Sequence, residues 1–180
     1  MAEDRRKKNI AELTRCSVDQ YHKIDKLPLR VMADNIRSMH NIGSIFRTSD
    51  AFRVDRIILG GISGTPPHQD IAKTALGAEE SVEWIHTDDP LGEAMRMREE
   101  GWTVCVLEQA HNSIPLHEFE PSKGQDKLLL VVGNEVHGVD QRIVDIADAV
   151  LEIPQEGTKH SLNVSASAAI ALFHLWQKIS

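Results

Sequence analysis

Three clusters of polar residues carry side chains able to do chemistry, and each follows an apolar run. The first reads Asn35-Ile36-Arg37-Ser38-Met39-His40-Asn41-Ile42-Gly43-Ser44-Ile45-Phe46-Arg47-Thr48. A helix beginning at Asn41 puts Arg47 nearly two turns on, and Gly43 lets another chain come close to the first turn. Taken singly, Asn41 reads equally well as a plain helix cap and Arg47 as a surface ion-pairing residue. The second cluster, Gly133-Asn134-Glu135-Val136-His137-Gly138, is a glycine-bounded loop that follows Leu128–Val132. Its glycine spacing mimics a phosphate loop, but Val139-Asp140 stand where Lys-Ser/Thr would reach phosphate and magnesium, and Glu135 would repel phosphate oxygens. A loop carrying a carboxylate suits a ligand with ribose hydroxyls or a cationic centre. The third cluster runs from Ile153-Pro154 through Gly157 to Ser161-Leu162-Asn163-Val164-Ser165. There a strand ends, a loop turns and a Ser/Asn-rich helix start offers unpaired N–H groups to a polar ligand, although Ser161 or Asn163 alone reads as an ordinary cap.

The elements that must hold these clusters alternate in type. Apolar runs at Leu29–Ala33, Arg56–Leu59, Val82–Ile85, Thr103–Leu107, Leu128–Val132 and Ala149–Ile153 predict strands, while Asn41–Phe52, Pro90–Glu100 and Val139–Ala147 predict helices. Such alternation predicts the α/β class, a mostly parallel sheet with helices on both faces, whose ligands bind beyond the C-terminal strand ends. A last helix from near Ser161 aligns Leu162, Ala166, Ala169, Ile170 and Phe173 on one face, as core packing or as a subunit interface. Residues 1–27 predict a short helical extension ahead of one domain spanning 28–180.

With 180 residues, 41% of them apolar and 26% charged, the chain has the composition of one ordinary globular domain. The N-terminus carries no apolar leader and no run is long enough to span a membrane, so a cytoplasmic location is expected. Two distant cysteines and nine scattered histidines predict neither a disulfide nor a metal centre. A net charge of −7 speaks against a polyanionic partner until its distribution is seen. Residues 1–30 hold eight basic and five acidic side chains, whereas the remainder is strongly acidic. Arg5, Arg6, Lys7 and Lys8, with Arg37, Arg47, Arg53 and Arg56, are therefore the candidate residues for holding a polyanion's phosphates, because local potential rather than net charge steers a ligand.

Together the clusters resemble the three motifs of the SpoU/TrmH branch of the SPOUT methyltransferases. Asn41–Thr48 matches N-x-G-x-x-x-R-T, Gly133–Gly138 matches G-N-E-x-x-G, and Ile153–Ser165 matches I-P-x-x-G-x-x-x-S-L-N-V-S, in the family's order over about residues 28–178. Departures are small: Gln155 stands where methionine is common, and His137 and His160 are unusual. The resemblance implies a deep C-terminal trefoil knot, a homodimer, and S-adenosylmethionine bound in a bent shape against the knot loops. Its adenine would be held by backbone groups near Leu107, Ile153 and Leu162, with Gly133 packed against the cofactor; Glu108, Asn134, Glu135, Gly138, Pro154 and Ser161 complete the implied cofactor site. The implied activity is methylation of a ribose 2′-hydroxyl in RNA. Arg47 would be the residue nearest that oxygen, as a base assisted by an RNA phosphate or as a phosphate clamp or alkoxide stabiliser, the role suited to a permanently charged guanidinium. Asn41 and Glu135 would orient Arg47 and the ribose, and Ser161 and Asn163 would shape the pocket. The absence of a separate N-terminal RNA-binding domain favours tRNA over ribosomal RNA.

Two rivals belong to other classes. A non-catalytic RNA-binding module would be expected to lose some of Asn41, Arg47, Glu135, Ser161 and Asn163, and all are present. A nucleotide-dependent oxidoreductase would need a dinucleotide fingerprint, but Gly60-Gly61-Ile62-Ser63-Gly64 lacks the spacing and runs into Pro66-Pro67.

Overall fold

The computed structural model describes residues 5–13, 15–121 and 127–180. Seven strands form one sheet among them: β1 (Leu27–Asp34), β2 (Val54–Gly60), β3 (Trp84–Thr87), β4 (Thr103–Leu107), β5 (Ile114–Pro115), β6 (Leu128–Val132) and β7 (Ala149–Glu152), in the order β3-β2-β1-β6-β4-β7-β5. Every pairing is parallel. The helices are α1 (Val18–Lys23), α2 (Met39–Ala51), α3 (Gln69–Ala75), α4 (Ala78–Ser81), α5 (Pro90–Glu99), α6 (Gln141–Ile146) and α7 (Val164–Ile179). No helix among the described residues is long and apolar enough to cross a membrane.

Helices cover both sheet faces, so successive strand residues are buried in opposite directions. Leu128, Leu130 and Val132 of β6 join Ile42, Ile45 and Phe46 of α2 and Ala168, Ala171, Leu172 and Leu175 of α7 in one core. Leu129 and Val131 join Ala94 and Met97 of α5 and Ile143 of α6 in the other. The register aligns Asp34 with Gly60, and Ala33 and Leu107 each with Val132, so the C-terminal ends of β1, β2, β4 and β6 share one edge.

Several elements differ from the sequence reading. Helices α3 and α4 and strand β5 were not anticipated, since each is short and α3 buries only Ile71 and Ala75. The segment that approaches Gly43 is α3 of the same chain: a Cβ there would collide with Thr74 Oγ1 and the Ile71 carbonyl. Helix α2 begins earlier than expected because Ser38, not Asn41, is its N-cap and accepts from the Asn41 N–H at 3.3 Å. Helix α6 begins two residues later than expected, where the Asp140 side chain caps the Arg142 N–H at 2.9 Å. Helix α7 starts at Val164, its cap supplied by Asn163 Oδ1, which accepts from Ser165 and Ala166 N–H at 3.0 and 3.3 Å. Of the face predicted from Leu162, Ala166, Ala169, Ile170 and Phe173, Ala169 is half-buried and the others are exposed, while Ala168, Ala171, Leu172 and Leu175 face the core. With apolar residues on more than one side, the helix offers two candidate stripes, and periodicity alone does not choose between them.

Candidate active site

The common strand edge is capped by a network that starts on β1. Asp34 is buried at its end, and Asn35 follows in the left-handed region at φ 55°. Burial pushes the Asp34 carboxyl above its usual range, opposed by the Asp140 N–H at 2.8 Å and the Asn35 side-chain amide at 2.8 Å. Asn35 turns the chain toward Ser38, the cap of α2, and its carbonyl accepts from Asn134 Nδ2 at 2.7 Å. The loops after β1 and β6 are thereby tied together.

The loop after β6 closes on itself. Asn134 and Gly138 exchange backbone hydrogen bonds of 2.9 Å, and Asn134 Oδ1 accepts from the N–H groups of Val136 and His137. Gly133 permits that closure, because any Cβ would strike Gly138 and Val139 backbone. Gly138 sits at φ 70° and packs directly on the Glu108 carboxylate. Glu108 extends from the end of β4: Oε1 accepts from Gln109 N–H at 2.9 Å and Oε2 from Val139 N–H at 3.1 Å.

Glu135 projects from this loop onto the N-terminus of α2, where unpaired N–H groups and the helix dipole favour an anion. Oε1 accepts from Ser38 N–H at 3.1 Å and Asn41 Nδ2 at 2.9 Å, and Oε2 accepts from Arg37 N–H at 3.1 Å. Burial acts to raise the Glu135 carboxyl, but the hydrogen bonds from Asn41, its own backbone, Arg37 and Ser38 outweigh it and hold it below the usual range. With Nδ2 committed to the carboxylate, Asn41 presents Oδ1 to Asn163 Nδ2 at 3.1 Å. Glu135, Asn41 and Asn163, one from each sequence cluster, therefore form a single hydrogen-bonded line in which both amide orientations are determined.

Beside this line lies a cavity of about 660 Å³, within the usual size of small-molecule sites. Leu107 and Glu108 from β4, Gly133, Asn134, Glu135 and Gly138 from the second cluster, and Ile153, Ser161, Leu162 and Asn163 from the third line it. Of the residues expected to hold a cofactor, Pro154 is the one that does not line the cavity. Sequence reasoning missed Gln109, His137, Val144 and Ser167, which also line it. The position of His137 between Glu135 and Gly138 was a usable signal; Val144 and Ser167 lie on helices whose facing had to be seen.

The expected RNA-binding residues are scattered. Arg37 is exposed and its N–H holds Glu135, so it stands at the site. Arg47 is exposed on α2, on the face that carries His40 and Ser44, and does not line the cavity of its own chain. Arg53 and Arg56 lie away from the cavity: Arg53, just past the end of α2, forms the left-handed turn into β2, its carbonyl accepting from Leu27 N–H, and Arg56 is paired in register with Arg30. Both sit at the N-terminal end of the sheet, and four residues of strand, roughly 13 Å, separate Arg56 from Gly60. Arg5, Lys7 and Lys8 are exposed ahead of a 3₁₀ turn at Ile10–Glu12, and Arg6 lies 3.7 Å from Glu12.

Comparison with known proteins places this geometry in context. The SpoU rRNA Methylase family matches residues 28–173. A Staphylococcus aureus protein assigned to the TrmH family of tRNA/rRNA methyltransferases is 29% identical over 173 residues, covering 94% of this chain and 68% of its own. Among solved structures, a TrmH/SpoU tRNA modifying enzyme of A. aeolicus matches with a TM-score of 0.78 at 26% identity, covering 89% of this chain and 81% of that one. The AdoMet-bound rRNA methyltransferase of Sinorhizobium meliloti also has a TM-score of 0.78, at 25% identity, covering 87% of this chain and 59% of the other.

Proposed function

Because the chain belongs to the SpoU rRNA methylase family, we propose that it methylates a ribose 2′-hydroxyl of RNA with S-adenosylmethionine as donor, and that the RNA is a tRNA. The observation that carries this reading is the line Glu135–Asn41–Asn163, in which Glu135 and Asn163 line the cavity and the buried Asn41 bridges them from behind, so that all three sequence clusters meet at one point. The tRNA assignment is supported by the A. aeolicus tRNA modifying enzyme, most of whose length this chain covers.

The residues present fit the donor. Glycines at 133 and 138 keep the loop backbone flush with the cavity, Leu107, Ile153 and Leu162 supply apolar surface for a base, and Ser161 and Asn163 supply polar contacts. The donor, when bound, supplies an already activated methyl group. The protein must then align the ribose oxygen and favour loss of its proton. Asn41 and Asn163, with amide orientations locked by Glu135, hold the ribose side of the site rigid. Arg47 serves the substrate as a clamp on an adjoining phosphate and as a stabiliser of the developing alkoxide.

We further propose that two copies pair through α7 and that the segment after β7 threads a loop to form a trefoil knot. Ile170 and Phe173 are 45% and 48% exposed, and Phe52, Phe173 and Trp176 form a cluster with centroids 5.7–6.0 Å apart, an apolar surface suited to a second copy. Calorimetry with S-adenosylmethionine, NAD and ATP, followed by mapping of 2′-O-methyl positions in RNA from a strain lacking the protein, tests the reading. Binding of the first ligand alone and loss of one tRNA methylation are expected. A complete, unchanged methylation map overturns the assignment.

A further inference from the structure

The charges around the cavity carry an inference beyond methyl transfer itself, though it rests on that reading. Among the described residues, the lining includes two carboxylates, Glu108 and Glu135, and neither lysine nor arginine; His137 is the remaining ionisable side chain there. Glu135 is turned onto the N-terminus of α2, with three donors from that segment on its oxygens. Glu108 is held differently. Each of its oxygens accepts one backbone N–H, from Gln109 and from Val139, and it lies against Gly138, which leaves lone pairs on both oxygens for a ligand. Two N–H donors facing the two oxygens require an acceptor at both positions, which a carboxylate meets and a carboxamide does not. The N-terminus of α7 adds only about half a positive charge, and the Asn163 side chain caps it.

Methyl transfer changes the charge in this cavity. A bond forms between the ribose oxygen and the methyl carbon, the carbon–sulfur bond breaks with its electron pair left on sulfur, and the hydroxyl proton leaves to solvent. A cationic sulfonium becomes a neutral thioether. We propose that Glu108 is a specificity-determining residue that makes the cavity bind the sulfonium donor in preference to the thioether product, S-adenosylhomocysteine, and so favours product release. The same carboxylate clamps the β4 end to the 133–139 loop, and the two roles separate experimentally. A clamp affects donor and product equally; a charge affects only the difference between them.

The test is calorimetric titration of S-adenosylmethionine and S-adenosylhomocysteine into the wild-type protein, Glu108→Gln and Glu108→Asp at low salt. In the wild type, the donor and a stable analogue carrying an ammonium centre in place of the sulfonium should both bind more tightly than the product. Glu108→Gln should raise the donor-to-product ratio of dissociation constants about tenfold, which is about 1.4 kcal/mol. Glu108→Asp, which keeps the charge, should weaken both ligands while leaving the ratio near the wild-type value. An unchanged ratio in Glu108→Gln, or a wild type that binds the product as tightly as both cationic ligands, overturns the proposal. The wild-type comparison decides the matter if neither variant folds. Failure of the wild type to bind either S-adenosyl compound instead overturns the underlying reading of the site.

Discussion

Replacing Glu135 with glutamine tests the central geometry, because the substitution keeps the side-chain shape and removes the charge. The carboxylate accepts three hydrogen bonds, two on Oε1 and one on Oε2. The amide oxygen can take over the Oε1 position and keep Ser38 and Asn41, but its NH2 then faces the Arg37 N–H, one donor against another. A lost hydrogen bond to a charged acceptor costs about 1.5–3 kcal/mol, and loss of the anion at the N-terminus of α2 about 0.3–1 more. Since Glu135 is solvent-exposed, the lower ends apply, and a destabilisation of about 1–2 kcal/mol is expected, a fall in Tm of roughly 2–8 °C for a chain of this size. The pH dependence provides a second readout. With its folded-state pKa depressed, Glu135 contributes stability that is present above the unfolded-state pKa and lost as pH falls through the folded value. Thermal melts from neutral to acid pH should therefore show wild type and Glu135→Gln converging as the pH drops. Methyl transfer should fall by about a hundredfold, because Asn41 and Asn163 lose the group that fixes their orientation. Melts that stay parallel at every pH, with turnover unchanged, would refute the claim that this carboxylate organises the site.

Other substitutions probe the remaining elements. Arg47→Ala should abolish methyl transfer while donor affinity measured by calorimetry stays within a few-fold, as expected of a residue that does not line the cavity, and Arg47→Lys should be nearly as damaging because an ammonium lacks the planar fork. Gly43→Ala should destabilise the fold by about 1–3 kcal/mol in denaturant melts despite the better helix propensity of alanine. Adding Thr74→Ala should relieve this only in part, since the Ile71 carbonyl also blocks a Cβ. Phe173→Glu should convert a sedimenting dimer into a monomer; a wild type that sediments as an active monomer removes the proposed interface. Deleting residues 1–8 should flatten the salt dependence of RNA binding, each lost phosphate contact removing somewhat under one unit of log–log slope, with donor affinity unchanged.

How much of the fold was legible depended on how sharply each element's chemistry changes at its ends. Strands β4 and β6 are read to the residue, because Leu128–Val132 is an apolar run between Lys127 and Gly133 and the run from Thr103 follows the Gly101 turn and stops at Glu108. Strand β3 is displaced by two residues, since Val82 is spent capping α4, donating to the Ala78 carbonyl, before the strand begins. Strand β5 is two residues long and is defined by its pairing with Leu151 and Glu152, a long-range fact that local pattern does not hold. The alternation of types was enough for a parallel α/β sheet, but the order of strands is a property of pairing rather than of any one segment.

The site was legible in a different way. Motif spacing brings out Asn41, Glu135 and Asn163, but Asn41 and Asn163 each have an ordinary explanation as a helix cap. Structure changes their standing by giving the α2 cap to another residue and the α7 cap to only one end of the Asn163 amide. Ser38 caps α2, so the Asn41 side chain is released to bridge Glu135 and Asn163. Asn163 does both jobs at once, its Oδ1 capping α7 while its Nδ2 reaches Asn41. That division uses both ends of one amide, which is why aspartate, an equally good cap, cannot replace it: a carboxylate at Asn163 would set an acceptor against Asn41 Oδ1. Asn163→Asp should therefore preserve the α7 cap, leaving the helix intact by circular dichroism, while methyl transfer falls. Asn163→Ser, another good cap that cannot span to Asn41, should lose transfer as well, and a fully active Asn163→Asp would mean that the link between the first and third clusters is not needed for turnover.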